Sequence, residues 1–452
     1  MSAAVAIPQT SEVAAQPVLV PSRDRNLVPY LVTALLMFGP VAFGAVEQWA
    51  IFVLQLAAVV LLALWAVTQV RSGRLAISSN PTFAPMCAFA GLILVQLAGT
   101  SAYQHATYSA LLLYVAYGAV CFLVAQTLQR TTQVRRLGHV LVIYGSCMAV
   151  FAVLESLSSG GKLYWIRTPR FGGWIYGPYV NHNHYAGLME MLVPIPLVFA
   201  FSRYAKGRKR WLAAAAAAFM ASTIFLSGSR GGMAAFAVQA AIFFWLLFRE
   251  RTRSGIALLL GGFLLLALAS ITWIGGSEVS ARIATLGPAK HADLAADIRL
   301  KIDADSFRMF SHRPVLGWGL GTFPNVYPEF RSFYTNSFVN AAHNDYLQLL
   351  TETGIVGFAI MTWFLVAALR PAIKKTQNWP SDVNGAVSLA ALLGISGILV
   401  HSLVDFNLQI PANAMWFYVL CTVAAMEPRF RNHRRERHKH VDAEPASASA
   451  LP

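Results

Sequence analysis

The chain has 452 residues, of which 56% are hydrophobic and only 12% are charged, and its formal net charge is +15. This composition excludes an ordinary soluble globular protein, because it supplies too little polar surface to cover one, and it indicates a membrane protein. It also argues against nucleic-acid binding, because the basic residues do not gather in a basic soluble domain.

The two ends of the chain differ from its middle. Residues 1–26 are rich in Ala, Val, Pro and Ser and lack the hydrophobic core and cleavage site of a signal peptide, so we predict a disordered cytoplasmic tail. Residues 427–452 are basic and predict a second disordered cytoplasmic tail. Residues 27–426 are then a single polytopic membrane domain.

Apolar runs of roughly 20 residues, the length that crosses a bilayer, recur throughout this domain. They predict an all-α membrane protein with about twelve transmembrane helices, since sustained alternation of apolar and polar residues, the pattern of a membrane β-barrel, is absent. The predicted spans lie near residues 27–48, 49–70, 83–100, 109–128, 137–157, 184–202, 211–227, 231–248, 255–275, 343–369, 384–403 and 412–426. The four cysteines all fall within these spans and predict packing residues: Cys87, Cys121, Cys147 and Cys421.

The orientation follows from lysine and arginine, which concentrate in cytoplasmic loops. They cluster in alternate connections, at residues 71–74, 130–136, 203–210, 249–253 and 370–375. The pattern predicts a multi-pass membrane protein with both termini in the cytoplasm. Loops 158–183 and 276–342 then lie on the extracytoplasmic side, and the second, with its Gly, Pro and aromatic turn residues, predicts a small cap between the ninth and tenth spans.

Arginines provide the first candidate site residues. Arg230 lies in Ser-Gly-Ser-Arg-Gly-Gly between two apolar helices, where a charge needs an anionic partner such as a phosphate. The alternative is contact with lipid headgroups. In the predicted cap, Arg308 and Arg313 can converge on a pyrophosphate, or they can pair with Asp303 and Asp305 on a solvated helix. The Asp-Ala-Asp pattern also matches metal-binding carboxylates loosely, but nucleotide sugars are cytoplasmic and this loop is predicted outside.

Histidines provide the second set. His343 precedes a predicted helix and is a candidate general base, although an isolated histidine at a helix start is more often structural. His182 and His184 could bind a metal, but no third ligand follows, and we prefer a polar rim that binds sugar, helped by nearby aromatic residues. His401 and Asp405 share one helix face at the outer end of a span. Candidate glycan-binding or supporting residues are Asn181, His182, His184, Tyr185, Asn344, Asp345, His401 and Asp405.

Together these motifs resemble the O-antigen ligase and O-antigen polymerase superfamily of bacterial polysaccharide assembly. The resemblance rests on residues 181–186, 227–231, 308–323, and His343-Asn344 followed nine residues later by Gly354-Ile-Val-Gly357.

The resemblance implies a GT-C-like membrane glycosyltransferase of lipopolysaccharide biosynthesis that is inverting and needs no metal or cofactor. It implies an undecaprenyl-pyrophosphate-linked glycan as donor, held by Arg230 and Arg308, with Arg313 or Arg299 as alternatives to Arg308. His343 would activate the acceptor hydroxyl, on a lipid A core in a ligase or on a lipid-linked repeat unit in a polymerase. A polytopic transporter or flippase remains an alternative, but no internal repeat is evident and the polar residues gather at one face.

Overall fold

The computed structural model describes residues 27–73, 75, 77–169, 174–249, 261, 265, 296–335 and 338–426. The helices within these ranges are numbered in chain order. The first seven are α1 Val28–Val41, α2 Gln48–Ser72, α3 Phe83–Val95, α4 Gln104–Thr127, α5 Thr131–Ser158, α6 His182–Leu192 and α7 Pro194–Phe201. The next seven are α8 Arg208–Leu226, α9 Arg230–Arg249, α10 Ala296–His312, α11 Phe323–Val326, α12 Asp345–Lys375, α13 Val383–His401 and α14 Pro411–Ala425.

The all-helical prediction is confirmed for the described residues, which contain no β-strand beyond isolated bridges. Within the described ranges, eight helical stretches are long and apolar enough to cross a membrane, and α1 and α14 are shorter apolar helices. Each predicted span coincides with one or two of the helices, except residues 255–275, which lie almost wholly outside the described residues. The total of twelve spans therefore stays a prediction, as do both tails, which also lie outside the described residues.

Local sequence signals explain where several helices begin. The Asn181 side chain accepts a hydrogen bond from the backbone N–H of Asn183 and caps α6. The Asn344 side chain accepts from the N–H groups of Tyr346 and Leu347 and caps α12. Proline occupies the first turn of α1, α7 and α14. The N–H groups of a first turn have no acceptor within the helix, so the lack of an N–H in proline costs no hydrogen bond there.

The centre of the bundle is unusually polar. In the span formed by α6 and α7, 89% of the most apolar 18-residue window is buried, and α6 carries two histidines, two amide or carboxyl side chains and a tyrosine into the protein interior. Glycines on α13 allow it to approach α6 and α9 closely. A Cβ at Gly394 would meet the Met191 backbone of α6, and one at Gly397 would meet the Gln239 side chain of α9. The α6 side chains are therefore enclosed by α9 and α13 and not by lipid.

Residues 296–335 and 338–342, here called the insert, pack on the first turns of α12. They have a small core of their own, which comprises Ile302, Met309, Phe323, Val326, Tyr327, Val339 and Ala342. The insert corresponds to the described part of the predicted cap, whose residues 276–295 lie outside the described ranges. Its position outside a membrane stays a prediction.

Gly354 interrupts α12 where the insert docks. Its backbone lies at φ 63° and ψ −169°, which frees the next two N–H groups to bond to the carbonyls of Pro314 and Val315 at 2.8 and 3.3 Å. A Cβ at this position would stand 2.2 Å from the Val315 carbonyl oxygen. The Gly354-Ile-Val-Gly357 part of the sequence motif is thus the place where the insert meets α12.

We expect Gly354→Ala to lower the melting temperature and to make the insert more sensitive to protease. The backbone conformation alone costs about 1–3 kcal/mol for a residue with a side chain, before the clash with Val315 is counted. Gly91→Ala on α3 is the matched control, because a Cβ there meets nothing within 4 Å. Equal melting temperatures for the two variants would contradict this account of the motif.

Candidate active site

The loop between α13 and α14, residues 402–410, lies at the end of the bundle where α6, α9 and α12 begin, here called the site end. Asp405 is its central residue and is 1% exposed. The Asp405 carboxylate accepts hydrogen bonds from Asn183 Nδ2 at 2.5 Å and from the Phe406 N–H at 2.8 Å. A buried carboxylate therefore ties this loop to the first turn of α6.

Two imidazoles share Asp405. His184 Nε2 and His343 Nδ1 each lie 3.9 Å from the same oxygen, Oδ1. The Phe406 ring separates them, with edge-to-face contacts at centroid distances of 4.9 Å to His184 and 4.8 Å to His343. The sequence predicted His184, His343 and Asp405 as separate candidates, and the structure brings the three together.

His343 is the more accessible of the two imidazoles. Its side chain is 12% exposed against 9% for His184, and its backbone adopts a left-handed conformation with φ 56°. Residues with side chains rarely adopt this conformation, which orients the His343 side chain relative to the N-terminus of α12. The side-chain oxygen of the adjacent Asn344 is used as the cap of α12.

Asp345 has a supporting position. Its carboxylate accepts from the Ser402 hydroxyl at 2.8 Å, the Leu408 N–H at 3.0 Å and Gln409 Nε2 at 3.2 Å. These three donors belong to the loop between α13 and α14. Asp345 therefore holds that loop, and Asp405 with it, against the start of α12.

His401 pairs with Glu190, and both side chains are 0% exposed. His401 Nδ1 lies 2.8 Å from Glu190 Oε1. This pair lies deeper in the bundle than Asp405 and borders the first turn of α9, because a Cβ at Gly231 would stand 2.8 Å from His401 Nε2.

Arg230 is the first residue of α9 and is exposed at the site end. The Ser229 hydroxyl accepts a hydrogen bond from the Gly232 N–H at 3.0 Å, which shapes the turn that precedes the helix. Helix N-termini carry a positive partial charge and unpaired N–H groups. Since α6, α9 and α12 all begin here, the site end has a field that favours an anion even before the arginines are counted.

The insert arginines separate in space. The Arg308 guanidinium lies 2.5 Å from Asp305 Oδ1 and donates to the Phe330 carbonyl at 2.6 Å. Arg313 donates to the Thr100 carbonyl at 2.8 Å, and its guanidinium lies 4.1 Å above the Trp318 ring. Both guanidinium groups thus make contacts that support the insert.

Arg299 is the insert arginine that reaches the loop between α13 and α14. Its Nη1 donates to the Val404 carbonyl at 3.0 Å, one residue before Asp405. A Cβ at Gly231 would stand 2.9 Å from the Val404 side chain, so Arg299 and the first turn of α9 lie on the same short stretch of chain. Of Arg299, Arg308 and Arg313, it is thus Arg299, which the sequence left as an alternative, that bonds to the loop containing Asp405.

Charges around Asp405 set its protonation. Burial raises the pKa of the Asp405 carboxyl, but the imidazoles of His184 and His343, followed by more distant His401 and Arg299, outweigh burial and lower the pKa below its ordinary value. Asp405 is therefore an anion at neutral pH, suited to orient an imidazole and to stabilise its protonated form.

The aromatic residues of loop 158–183 have two kinds of position. Tyr176 and Tyr179 are buried, and the Tyr179 hydroxyl donates to Asn413 at 2.8 Å. Trp165 and Trp174 are 42% and 37% exposed, and Trp174 packs on the His182 ring at 5.4 Å. Tyr185 donates to Thr223 in the interior and is a packing residue of α6.

Among the residues that the structure describes, no group of three His, Cys, Asp or Glu side chains is arranged to hold a metal ion. Asp305 is occupied by Arg308, the Tyr327 hydroxyl and the Ser332 N–H. Metal independence nevertheless stays a prediction.

Sequence reasoning missed Asn183, Phe406 and Glu190 as parts of the site. Asn183 lies between two predicted histidines and Phe406 directly follows Asp405, so both adjoin predicted residues. Glu190 and His401 are 211 positions apart, and no sequence pattern indicates that pairing.

We expect Asp345→Ala to destabilise the protein by a few kcal/mol, because it leaves three donors of the α13–α14 loop without their buried acceptor. Thermal unfolding in detergent measures this change. Asp382→Ala removes only the α13 cap, where the carboxylate accepts a single bond, from the Gly385 N–H, and should cost about 1 kcal/mol. A smaller loss for Asp345→Ala than for Asp382→Ala would refute the supporting role.

The geometry can be compared with known proteins. No curated protein matches the chain. Residues 215–362 match a family model described as O-antigen ligase, and the match includes Arg230, α10 with its arginines, and His343, but not α6 or Asp405. The resemblance predicted from the motifs is confirmed over these residues, which are similar to O-antigen ligases.

Proposed function

We propose that the chain is an O-antigen ligase that transfers a glycan from an undecaprenyl-pyrophosphate carrier to a hydroxyl of the lipid A core on the periplasmic face of the inner membrane. The observation that supports this best is the meeting of Arg230, Arg299 and His343 around the loop that contains Asp405. Two guanidinium groups and three helix N-termini suit a pyrophosphate, and an imidazole beside a carboxylate suits a hydroxyl that must lose its proton.

In the proposed reaction the acceptor oxygen attacks the anomeric carbon of the donor sugar. The bond from that carbon to the pyrophosphate breaks, and the configuration at the carbon inverts. Undecaprenyl pyrophosphate leaves with the bonding electrons, and Arg230 and Arg299 stabilise the charge that develops on its pyrophosphate group. Fixed guanidinium groups can do this because their charge does not depend on protonation near neutral pH.

His343 receives the proton of the acceptor hydroxyl in this mechanism. The Asp405 carboxylate, 3.9 Å from Nδ1, favours the tautomer with its proton on that nitrogen, which makes Nε2 the basic nitrogen of the ring. The anionic Asp405 then stabilises the imidazolium that forms. Trp174, exposed beside His182, offers an aromatic face on which a sugar ring can pack.

The orientation of the site supports a periplasmic reaction. The connections at 202–207 and 376–382 meet at the end opposite the site end, through a hydrogen bond from the Arg203 N–H to the Pro380 carbonyl. The first connection contains Arg203 and Lys206, and the second follows directly on the basic residues Arg370, Lys374 and Lys375. The positive-inside rule assigns such basic segments to the cytoplasm. A lipid-linked donor already carried across the membrane would then meet Arg230 directly.

Gel profiles of surface polysaccharide from a deletion strain test the proposal. A ligase predicts that long glycan stays on its lipid carrier and is missing from lipid A. Single repeat units on lipid A would instead identify a polymerase, which the family match equally allows, and an unchanged profile would contradict both. Normal glycan assembly with failed export of the carrier would favour a flippase.

We expect His343→Ala and Arg230→Ala to insert normally and to restore no detectable glycan transfer in that strain. Loss of a general base costs about 10²–10⁴-fold and loss of a charge-stabilising group about 10²–10³-fold. His139→Ala and Lys209→Ala are matched controls, because both residues are exposed and lie away from the site end. Transfer that persists in both His343→Ala and Arg230→Ala would refute the site.

The insert arginines should differ in a parallel test. We expect Arg299→Ala to lose transfer by about two orders of magnitude with little change in melting temperature, because it removes a charge from the pyrophosphate site. Arg308→Ala should lower the melting temperature and leave transfer per folded molecule within a few-fold of wild type. The opposite result would return the donor-binding role to Arg308.

A further inference from the structure

The buried pair of Glu190 and His401 has no role in the reaction above. Both side chains are fully enclosed, and only one oxygen and one nitrogen of the pair bond to each other, at 2.8 Å. Glu190 Oε2 and His401 Nε2 are buried without a hydrogen-bond partner. Replacing such a pair by apolar residues is often neutral or stabilising, so stability alone does not account for it.

The pair lies directly against the first turn of α9. A Cβ at Gly231 would stand 2.7 Å from His401 Cδ2 and 2.8 Å from Nε2, and a Cβ at Gly232 would stand 3.2 Å from Glu190 Oε1. Because neither position has room for a side chain, the backbone that follows Arg230 rests on the imidazole and the carboxylate. A small displacement of the pair therefore displaces Arg230.

The Glu190 carboxylate and the His401 imidazole suit a position beside the N-terminus of α9. A carboxylate close to a helix N-terminus interacts favourably with the helix dipole, which explains an acidic residue beneath α9. An unbalanced carboxylate would, however, also attract the Arg230 guanidinium and weaken its hold on an anionic donor. The imidazole of His401 lies between the carboxylate and Gly231 and offsets that charge.

The far side of the pair is also held. Gln239 Nε2, two turns along α9, donates to the Glu190 carbonyl at 2.8 Å and to the Leu393 carbonyl at 2.7 Å. The amide thus joins α6, α9 and α13 behind the pair. Among the described helices that border the pair, α9 is the one that begins at the site end with an arginine, Arg230.

We propose that Glu190 and His401 are positioning residues that hold the first turn of α9, and with it the Arg230 guanidinium, in the geometry that binds the donor pyrophosphate. This inference rests on the proposed function, since it assumes that Arg230 meets the donor. Neither residue touches substrate. Their effect on transfer passes through Arg230.

A double-mutant cycle tests this path. We expect His401→Gln to lower transfer by about 10- to 100-fold, as a misplaced binding group does. Arg230→Lys, which keeps a charge but loses the planar fork, lowers transfer in part. If the pair acts through Arg230, adding His401→Gln to Arg230→Lys costs much less than in the wild-type background. Fully multiplicative losses would overturn the proposal, as would unchanged transfer in His401→Gln.

Two further variants separate positioning from folding. Gly231→Ala leaves the pair intact but forces a methyl group against it, and we expect a loss like that of His401→Gln without further loss when the two are combined. Glu190→Gln combined with His401→Gln should recover part of the transfer lost in His401→Gln, because the unbalanced carboxylate is gone.

Thr422→Val is the control for a general packing defect, because Thr422 is a buried polar residue of α14 at the end of the bundle opposite the site end. Failure of Gly231→Ala to reduce transfer, with a normal melting temperature, would overturn the proposal even if His401→Gln does not fold.

Binding of undecaprenyl pyrophosphate to the purified full chain distinguishes this inference from the proposed function. We expect the ligand to raise the melting temperature of wild type and Thr422→Val, and to raise that of Glu190→Gln and Gly231→Ala much less. Equal protection of all four proteins would overturn the positioning role alone. No protection of wild type, with transfer retained in Arg230→Ala, would overturn the proposed function, and the inference with it.

Discussion

Buried carboxylates organise the site end of this bundle, and the rest of the site depends on them. A carboxylate enclosed in an apolar helical bundle must have its oxygens satisfied, because an unsatisfied buried charge costs several kcal/mol. Asp345 satisfies this requirement with three donors from the α13–α14 loop, and Asp405 with Asn183 on α6. The same requirement fixes the distance between the starts of α6 and α12, and therefore between His184 and His343.

The carboxylates divide into those that face the site and those that hold it. Asp405 lies beside two imidazoles and remains an anion, whereas Asp345 is covered by donors and supports the loop. Glu352, one of the buried acidic residues of α12, accepts from the backbone N–H groups of Gly321 and Phe323 and holds the insert. Three buried acidic residues thus differ in position: Asp405 lies beside the imidazoles, Asp345 holds the α13–α14 loop and Glu352 holds the insert. Their neighbouring groups distinguish these positions.

Much of the architecture could be predicted from the sequence, because long apolar runs have few alternatives to helices in a membrane. His184, Arg230, His343 and Asp405 were also predictable as site residues, because polar or charged side chains near the end of a membrane span are costly and usually have a functional role. Arg299 could not be selected over Arg308, because both lie on one helix and the contact of Arg299 with the Val404 carbonyl joins distant parts of the chain. The pairing of Glu190 with His401 was equally inaccessible, since it joins distant parts of the chain with no local signal.

Attachment of the insert has a consequence for how such enzymes diversify. The bonds that join it to α3 and α12 come largely from its own main chain: the N–H groups of Trp318 and Gly319 bond to α12 carbonyls, and Leu320 bonds to the Gln96 side chain. Main-chain bonds of this kind are indifferent to most of the side chains around them. The outward face of the insert can therefore change in evolution while its docking is kept. Under the proposed function, acceptor preference could then change without a change in the residues that bind the pyrophosphate.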